Sequence, residues 1–399
     1  MNALPIDPYI VHQIYDWTVF FVCLFLFFKY SRSNSCENLL RKTSMVPALL
    51  LTMLLIFYMG LRPVSIAFGD TVSYAYGYSF EMRSAAFSID WNKEWFWAFV
   101  KYMCQQAGFT VNVWFLIIEI AYLGFVFLAF RLLLGENVWM AMLFFLSAYS
   151  TFSFGVNGIR NGCACSIAIL AFAIAANQNV ARLVIAAGVL LFAFGIHRSI
   201  SLPVAAFLAA SYVVKSPKIA IYFWMASIGI SLVAGGAATN FFAGLGFDDR
   251  MSSYANSADS DAAQFSHTGF RWDFLLYSAM PIWLTWYVTQ KAEKEKALYG
   301  ETQEEQETGV LGAGRIADVH SLRVFNILAT TYILANSFWV MVIRAAFSNR
   351  FAYLSWFLYP IVLAYGVIRL HIWEDQDKKA GLILLAHAAF TLIMSLLGK

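Results

Sequence analysis

The chain has 399 residues, 60% of them hydrophobic and 18% aromatic, with only 13% charged. A soluble domain carries roughly 25% charged residues, so this composition and a mean hydropathy of +0.64 exclude an ordinary soluble core and point to repeated membrane crossing. The net charge of +3 is small, and no basic stripe of the density that nucleic acid demands is present.

Taken in chain order, apolar runs fall at about 13–29, 46–61, 111–130, 138–154, 162–176, 183–196, 200–214, 219–237, 272–290, 324–343, 352–368 and 380–397. A bilayer-crossing helix needs about 20 mostly apolar residues. The pattern therefore predicts an all-α polytopic membrane protein with about 12 transmembrane helices (range 10–13), organised as one integral membrane domain over 1–399. Several runs are short, which predicts tilted, broken or re-entrant segments. Residues 92–107 are rich in Trp and Phe but carry Lys93, Glu94 and Lys101. They read as an amphipathic helix lying at the interface.

Loop charge sets the orientation. Most of the 27 Lys and Arg residues, beginning with Lys29, Arg32, Arg41 and Lys42, fall on one side of the predicted bundle. That side is assigned to the cytoplasm, with both termini outside. Residues 62–107 then form an extracytoplasmic loop with the interfacial helix, and 238–271 form a second extracytoplasmic loop. Residues 291–323, which include the acidic stretch Glu301–Glu307, form a flexible cytoplasmic loop. The first run follows a polar, acidic start without a basic region, so a cleavable signal peptide is not expected. The five cysteines, Cys23, Cys36, Cys104, Cys163 and Cys165, lack the spacing of a disulfide framework and read as small buried residues.

The outer side holds fewer basic residues, but most are arginines, and Arg62, Arg160, Arg198, Arg344 and Arg350 lie within a few residues of an apolar run. The guanidinium is a planar fork of five donors suited to phosphate and carboxylate. Ionisable groups at membrane depth are costly and mark candidate sites; the alternative is a set of snorkelling anchors.

Four segments carry these residues. Gly60-Leu61-Arg62-Pro63 is followed by Gly69-Asp70-Thr71, Tyr74 and Tyr78, a possible polar wall for a sugar or else an aromatic belt. Phe154-Gly155-Val156-Asn157-Gly158-Ile159-Arg160-Asn161 joins two apolar runs with almost no loop. Its glycines allow a helix break or close backbone approach, and a polar break at membrane depth must line a cavity or be buried in protein. Gly195-Ile196-His197-Arg198-Ser199 forms another junction, where His197 is a base, a phosphate partner or a plain interfacial residue. Arg344 precedes Ser348-Asn349-Arg350-Phe351-Ala352-Tyr353. Candidate acids on the same side are Asp70, Glu81, Asp90, Glu94, Asp248, Asp249, Asp259, Asp261 and Asp273, and spacing alone selects none of them. Asp259-Ser260-Asp261 reads as loop polarity. No phosphate-binding Gly-x-x-x-x-Gly-Lys loop, His-Glu-x-x-His helix or Gly-x-Ser-x-Gly elbow occurs.

These places together resemble the EpsG-like family of bacterial polysaccharide polymerases, related in role to the Wzy O-antigen polymerases. The matched segments are Arg62 to Tyr74 with Asp70, Phe154-Gly155 through Asn157 and Arg160, Gly195-x-His197, and Asn349-Arg350-x-x-Tyr353, within roughly 50–365. The family usually shows Gln and then Leu-Ala after the second-motif arginine; here Asn161 and Gly162-Cys163-Ala164 follow Arg160.

The resemblance implies a metal-independent membrane glycosyltransferase of the bacterial inner membrane, without cofactor. It would move a chain from undecaprenyl diphosphate onto a sugar hydroxyl of a lipid-linked repeat unit, with a chain-length regulator and a flippase as further partners and the site facing the exterior. Arg160 and Arg350 would hold diphosphate, helped by Arg62, Arg198 and Arg344. Asp70 or His197 would act as base, with Tyr74, Asn157 and Tyr353 against substrate. The competing readings are a lipid-linked oligosaccharide flippase or other transporter, a membrane acyltransferase, and a ligase acting on the same glycan.

Overall fold

The computed structural model describes residues 3–32, 45–80, 87–176, 179–244, 270–299, 318–344 and 348–397, and the side chains at 239–244, 298–299 and 348–350 lie outside that description. Also outside it fall Cys36, Arg41, Lys42, Glu81, Arg83, Arg250, the Asp248-Asp249 and Asp259–Asp261 pairs, and the acidic stretch Glu301–Glu307.

Every regular element among the described residues is a helix. The twelve apolar runs all fall on helices, with 138–154 and 352–368 each divided between two. Among the described residues six helices are long and apolar enough to cross a membrane, four more are apolar but shorter, and one bent pair forms a broken span or a re-entrant loop. The Trp- and Phe-rich stretch at 92–107 is a separate short helix, Trp95–Gln106, as its composition predicted. Two expected loop boundaries move. The helix Trp272–Tyr299 continues through Lys291–Lys296, and Pro217–Gly244 runs past residue 238. In the first case Lys, Glu and Ala beyond the apolar run are good helix formers, and Lys218 Nζ bonds Glu293 Oε2 at 2.5 Å.

The chain forms two compact units, Met1–His197 with Trp373–Lys399, and Arg198–Ile372. The first unit comprises α1 (Pro8–Ser31), α2 (Met45–Gly60), α3 (Thr71–Phe80), α4 (Trp95–Gln106), α5 (Val111–Leu134), α6 (Val138–Leu146), α7 (Tyr149–Val156), α8 (Ile159–Ala175), α9 (Val180–Ile196) and the C-terminal helix Gln376–Leu397. Helix α5 packs on α2 and α8, α8 packs on α9, and α1 pairs with the C-terminal helix. Close approach of α2 to α5 depends on Gly60, where a Cβ would come within 2.9 Å of the Leu116 Cα.

Helices α6 and α7 meet at 77°. Such a bend strands carbonyls that an unbroken helix would satisfy, and an apolar environment offers no water to replace the lost bonds. Side chains take them instead. Tyr15 of α1 donates to the Leu146 carbonyl at 2.6 Å, Thr151 to Phe145 at 2.5 Å, and Thr391 of the C-terminal helix to Ser147 at 2.7 Å. The Ser147 hydroxyl pairs with buried His387 Nδ1 at 2.9 Å. The sequence-distant helices α1 and Gln376–Leu397 thus hold the bend from which α7 leads to the candidate site.

In the second unit, α10 (Ser201–Leu208) and α11 (Pro217–Gly244) are followed by α12 (Trp272–Tyr299), α13 (Val319–Met341), α14 (Ser348–Trp356) and α15 (Tyr359–Arg369), which makes the C-terminal helix α16. Helix α13 packs against each of the other five. Its Asn336 is fully buried and fully used. It accepts from Trp224 Nε1 at 2.8 Å and donates to the Ser278 and Ser355 hydroxyls at 3.2 and 3.0 Å, while Trp356 Nε1 also reaches Ser278 at 2.8 Å. A buried network with every member satisfied fixes one packing register.

Candidate functional site

The site is built on the break between α7 and α8. Asn157 caps the end of α7 and Gly158 precedes the first turn of α8, which holds Arg160. The two helices fold tightly back, since a Cβ on Gly162 would sit 2.7 Å from the Phe154 carbonyl oxygen. In an unbroken helix the Val156 carbonyl would accept the N–H of Arg160, four residues on. Here it accepts from the Thr71 hydroxyl at 2.5 Å and from Arg62 Nη2 at 3.1 Å.

Asn157 and Arg160, three residues apart, therefore face different tasks. The Asn157 side-chain oxygen accepts the Asp70 backbone N–H at 2.8 Å. It lies so close to Gly69 that a Cβ there would collide with it, and Gly69 has φ +59°, a conformation that favours glycine. Asn157 thus fixes the turn that starts α3. Arg160 points the other way. Its Nε donates to the Tyr74 hydroxyl at 3.3 Å, and its Nη1 is bonded to Glu94 Oε2.

Glu94 is the centre of this group. It precedes α4, and its second oxygen, Oε1, lies 3.0 Å from His197 Nδ1. One carboxylate therefore joins the arginine of the second motif to the histidine of the third. All three side chains are about a quarter exposed, so the group is open to a ligand yet shielded enough for its charges to matter. Burial pushes the Glu94 carboxyl up, but the His197 hydrogen bond and the charge of Arg160 outweigh it and leave the group below its ordinary value. Helix α4 is held in place at both ends. Trp95 and Phe96 pack on Gly195 of α9, where a Cβ would stand 2.6 Å from the Trp95 ring. At the other end Gln105 donates to the Tyr78 carbonyl at 2.7 Å.

A second group, at the α7 side of the break, is sealed. Arg62 follows α2 and is 0% exposed. Its Nη1 donates to the Met59 carbonyl at 2.8 Å, and its guanidinium lies over the Phe115 ring at 4.5 Å. Nη1 is 4.0 Å from Oε1 of Glu119 on α5, an equally buried carboxylate. A Cβ on Gly155 would collide with the Met59 side chain and stand 3.1 Å from Glu119 Oε1, so the glycine makes room for both.

The first unit thus brings Arg62, Asp70, Tyr74, Asn157, Arg160 and His197 together, three of the four sequence segments in one place. Tyr78 is buried, donates to the Phe109 carbonyl at 2.9 Å and stacks on Trp114, a packing role and not a wall. The second unit holds the rest. Arg198 is exposed at the start of a short 3-10 turn. Arg344 lies along Gly235 of α11 and 5.9 Å from the Phe270 ring. Tyr353 stands on α14 with its ring 5.8 Å from that of Trp356. Arg350 is in the first turn of α14, its side chain outside the described residues. Asp273, another of the candidate acids, pairs with Arg271 through two hydrogen bonds.

Two residues were not singled out by the sequence. Glu94 was one acid among nine, with nothing to rank it. Glu119 did leave a signal: it is the one acid in the apolar run Val111–Leu134, and an acid at membrane depth needs a partner.

Fold and site define a polytopic, all-helical, membrane-integral protein with an arginine–glutamate–histidine group at a helix break. The EpsG family model matches residues 45–397. The chain belongs to the EpsG family, a family of Wzy-type polysaccharide polymerases, and its role is of that general type. No curated protein and no solved structure matches it.

Proposed function

We propose that the protein polymerises lipid-linked oligosaccharide repeat units in the bacterial inner membrane, at a site facing the exterior. The growing chain leaves undecaprenyl diphosphate and is transferred to a sugar hydroxyl of the incoming lipid-linked repeat. The observation that carries this reading is the Glu94 carboxylate, with Arg160 on one oxygen and His197 on the other.

The chemistry follows from that arrangement. With Nδ1 protonated and donating to Glu94, His197 keeps the lone pair of Nε2 for an incoming hydroxyl proton. A carboxylate on one ring nitrogen fixes the tautomer and the orientation of the ring. The acceptor oxygen attacks the anomeric carbon of the donor chain, its proton passes to His197 Nε2, and the carbon–oxygen bond to diphosphate breaks. The diphosphate departs with the bonding electrons. Arg160 uses Nη1 for Glu94 and Nε for Tyr74, and Nη2 takes part in neither bond. A preorganised guanidinium aimed at a departing diphosphate stabilises the charge that develops in the transition state. The reading takes His197 as the base because its ring is held by the Glu94 carboxylate; Asp70 lies in the same site, with its backbone N–H on Asn157.

The test is to delete the protein from its host and size the lipid-linked glycans in each leaflet. Single repeats on the outer leaflet support the polymerase. Repeats trapped on the inner leaflet mean a flippase, full polymer without acyl groups an acyltransferase, and full polymer still on carrier lipid a ligase.

A further inference from the structure

The pair of Arg62 and Glu119 does no chemistry in the mechanism above, yet it is the most deeply buried charge pair among the described residues. Both are sealed at 0% exposure. Neither Glu119 oxygen has a hydrogen-bond partner, nor does Arg62 Nε. Nη1 of Arg62 approaches Glu119 only to 4.0 Å. Carrying two charges out of water is costly, and breaking such a pair leaves the remaining charge uncompensated. The position of Arg62 is therefore set jointly by Glu119 and by the carbonyls it meets.

Those carbonyls matter for the site. Arg62 donates to Met59, at the end of α2, and to Val156, the last residue of α7. Val156 is four residues before Arg160. By supplying the hydrogen bond that Arg160 N–H would otherwise give, Arg62 with Thr71 stabilises the broken form of the helix. That form ends α7 at Val156, lets Asn157 turn to Asp70, and starts α8 so that Arg160 reaches Glu94. Gly60 and Gly155 also lie against Glu119, Gly60 beside its Cβ and Gly155 beside its carboxyl, with Leu116 and Met59 respectively closer still.

We propose that Glu119 is a positioning residue: its carboxyl, seated against the Arg62 guanidinium, holds Arg62 on the Val156 carbonyl, and the α7–α8 break, with Arg160 in its working place, depends on that hold. The catalytic part of this statement rests on the polymerase reading; the geometric part does not.

The experiment uses the full-length protein in nanodiscs as wild type, Glu119→Gln and Arg62→Lys. Glu119→Gln keeps the shape and exchanges the carboxyl for an amide. Arg62→Lys keeps the charge and removes the fork, since one ammonium cannot match a planar guanidinium on two carbonyls. Two readouts are taken on the folded fraction of each. The first is the rate at which phenylglyoxal modifies Arg160, followed by peptide mass; it needs no glycan substrate. The expected result is a rate at least about fivefold higher in both variants, because a shifted break frees Arg160 from Glu94. The second is polymerisation of a purified lipid-linked repeat. There we expect kcat to fall by about 10²-fold with KM within about twofold, the signature of a misplaced group that acts in the transition state. Arg160 modification at the wild-type rate in both folded variants overturns the proposal. So does a loss of polymer explained wholly by a smaller folded fraction. If wild type makes no polymer, the polymerase reading fails while the modification rates still decide the positioning role.

Discussion

Two arginine–glutamate pairs lie in the same unit, and they differ in nearly every physical respect. Arg62 and Glu119 are sealed, stand 4.0 Å apart and share no hydrogen bond. Arg160 and Glu94 are directly bonded, and each is about a quarter exposed. The first pair spends its donors on backbone carbonyls and so holds helix ends together. In the second, Arg160 Nη2 takes part in neither the bond to Glu94 nor the bond to Tyr74, and His197 joins the other carboxylate oxygen. The same two residue types thus serve architecture in the sealed pair and, in the proposed mechanism, chemistry in the exposed one. What separates the roles is solvent access and whether the partners are backbone or side chain.

That comparison is open to breaking at several points. The largest effect is expected for His197→Ala, which removes the proposed base. Its kcat falls by about 10²–10⁴-fold in a polymerisation assay with purified lipid-linked repeat, while the detergent melting temperature stays near wild type. An equal or greater loss for Asp70→Asn would move the base to Asp70. Next comes Glu94→Gln, which keeps the hydrogen-bonding shape but removes the charge that orders both neighbours. A kcat loss of about 10–10²-fold is expected, with faster Arg160 modification by phenylglyoxal.

Glycine substitutions along α9 sharpen the contrast between site and scaffold. At Gly195 a Cβ would meet the Trp95 ring at 2.6 Å and Phe96 Cβ at 2.8 Å, whereas at Gly188 nothing lies within 4 Å. Gly195→Ala should push α4 away from α9, part Glu94 from His197, and cost about 1–3 kcal/mol by overpacking. Gly188→Ala should be silent or slightly stabilising, as alanine is the better helix former. Thermal melts of the two variants side by side check this.

The smallest effect is in pH. The Glu94 carboxyl is held below its ordinary value by His197 and Arg160. Its contribution to stability is therefore complete above the unfolded value, about 4.3 for a glutamate, and is lost as pH falls through the lower folded value. A melting series below about pH 5 should show this loss, and Glu94→Gln should flatten it.

Much of the scaffold was legible in the sequence because apolar runs of spanning length have few other uses. All twelve runs are helical, and the break at Phe154–Asn161 was visible from two glycines and three polar residues where no loop separated the runs. The bend between α6 and α7 was not visible, because the side chains that support it come from α1 and α16, far away in the chain. The site was legible in its arginines and histidine but not in its pairing. Glu94 reaches Arg160 and His197 across 66 and 103 residues, and no local pattern encodes such a partner. Arg62 looked like a ligand residue because it ends a span; Thr71, Glu119 and the Val156 carbonyl, which surround its guanidinium, come to it only through the packing.

The most direct test of the central claim is the product made by Arg160→Ala. Wild-type protein in nanodiscs, given a purified lipid-linked repeat, should build a ladder of polymer. The folded Arg160→Ala variant should leave the single repeat on its carrier lipid. A full ladder from that variant would contradict the placement of the active centre at Glu94, Arg160 and His197.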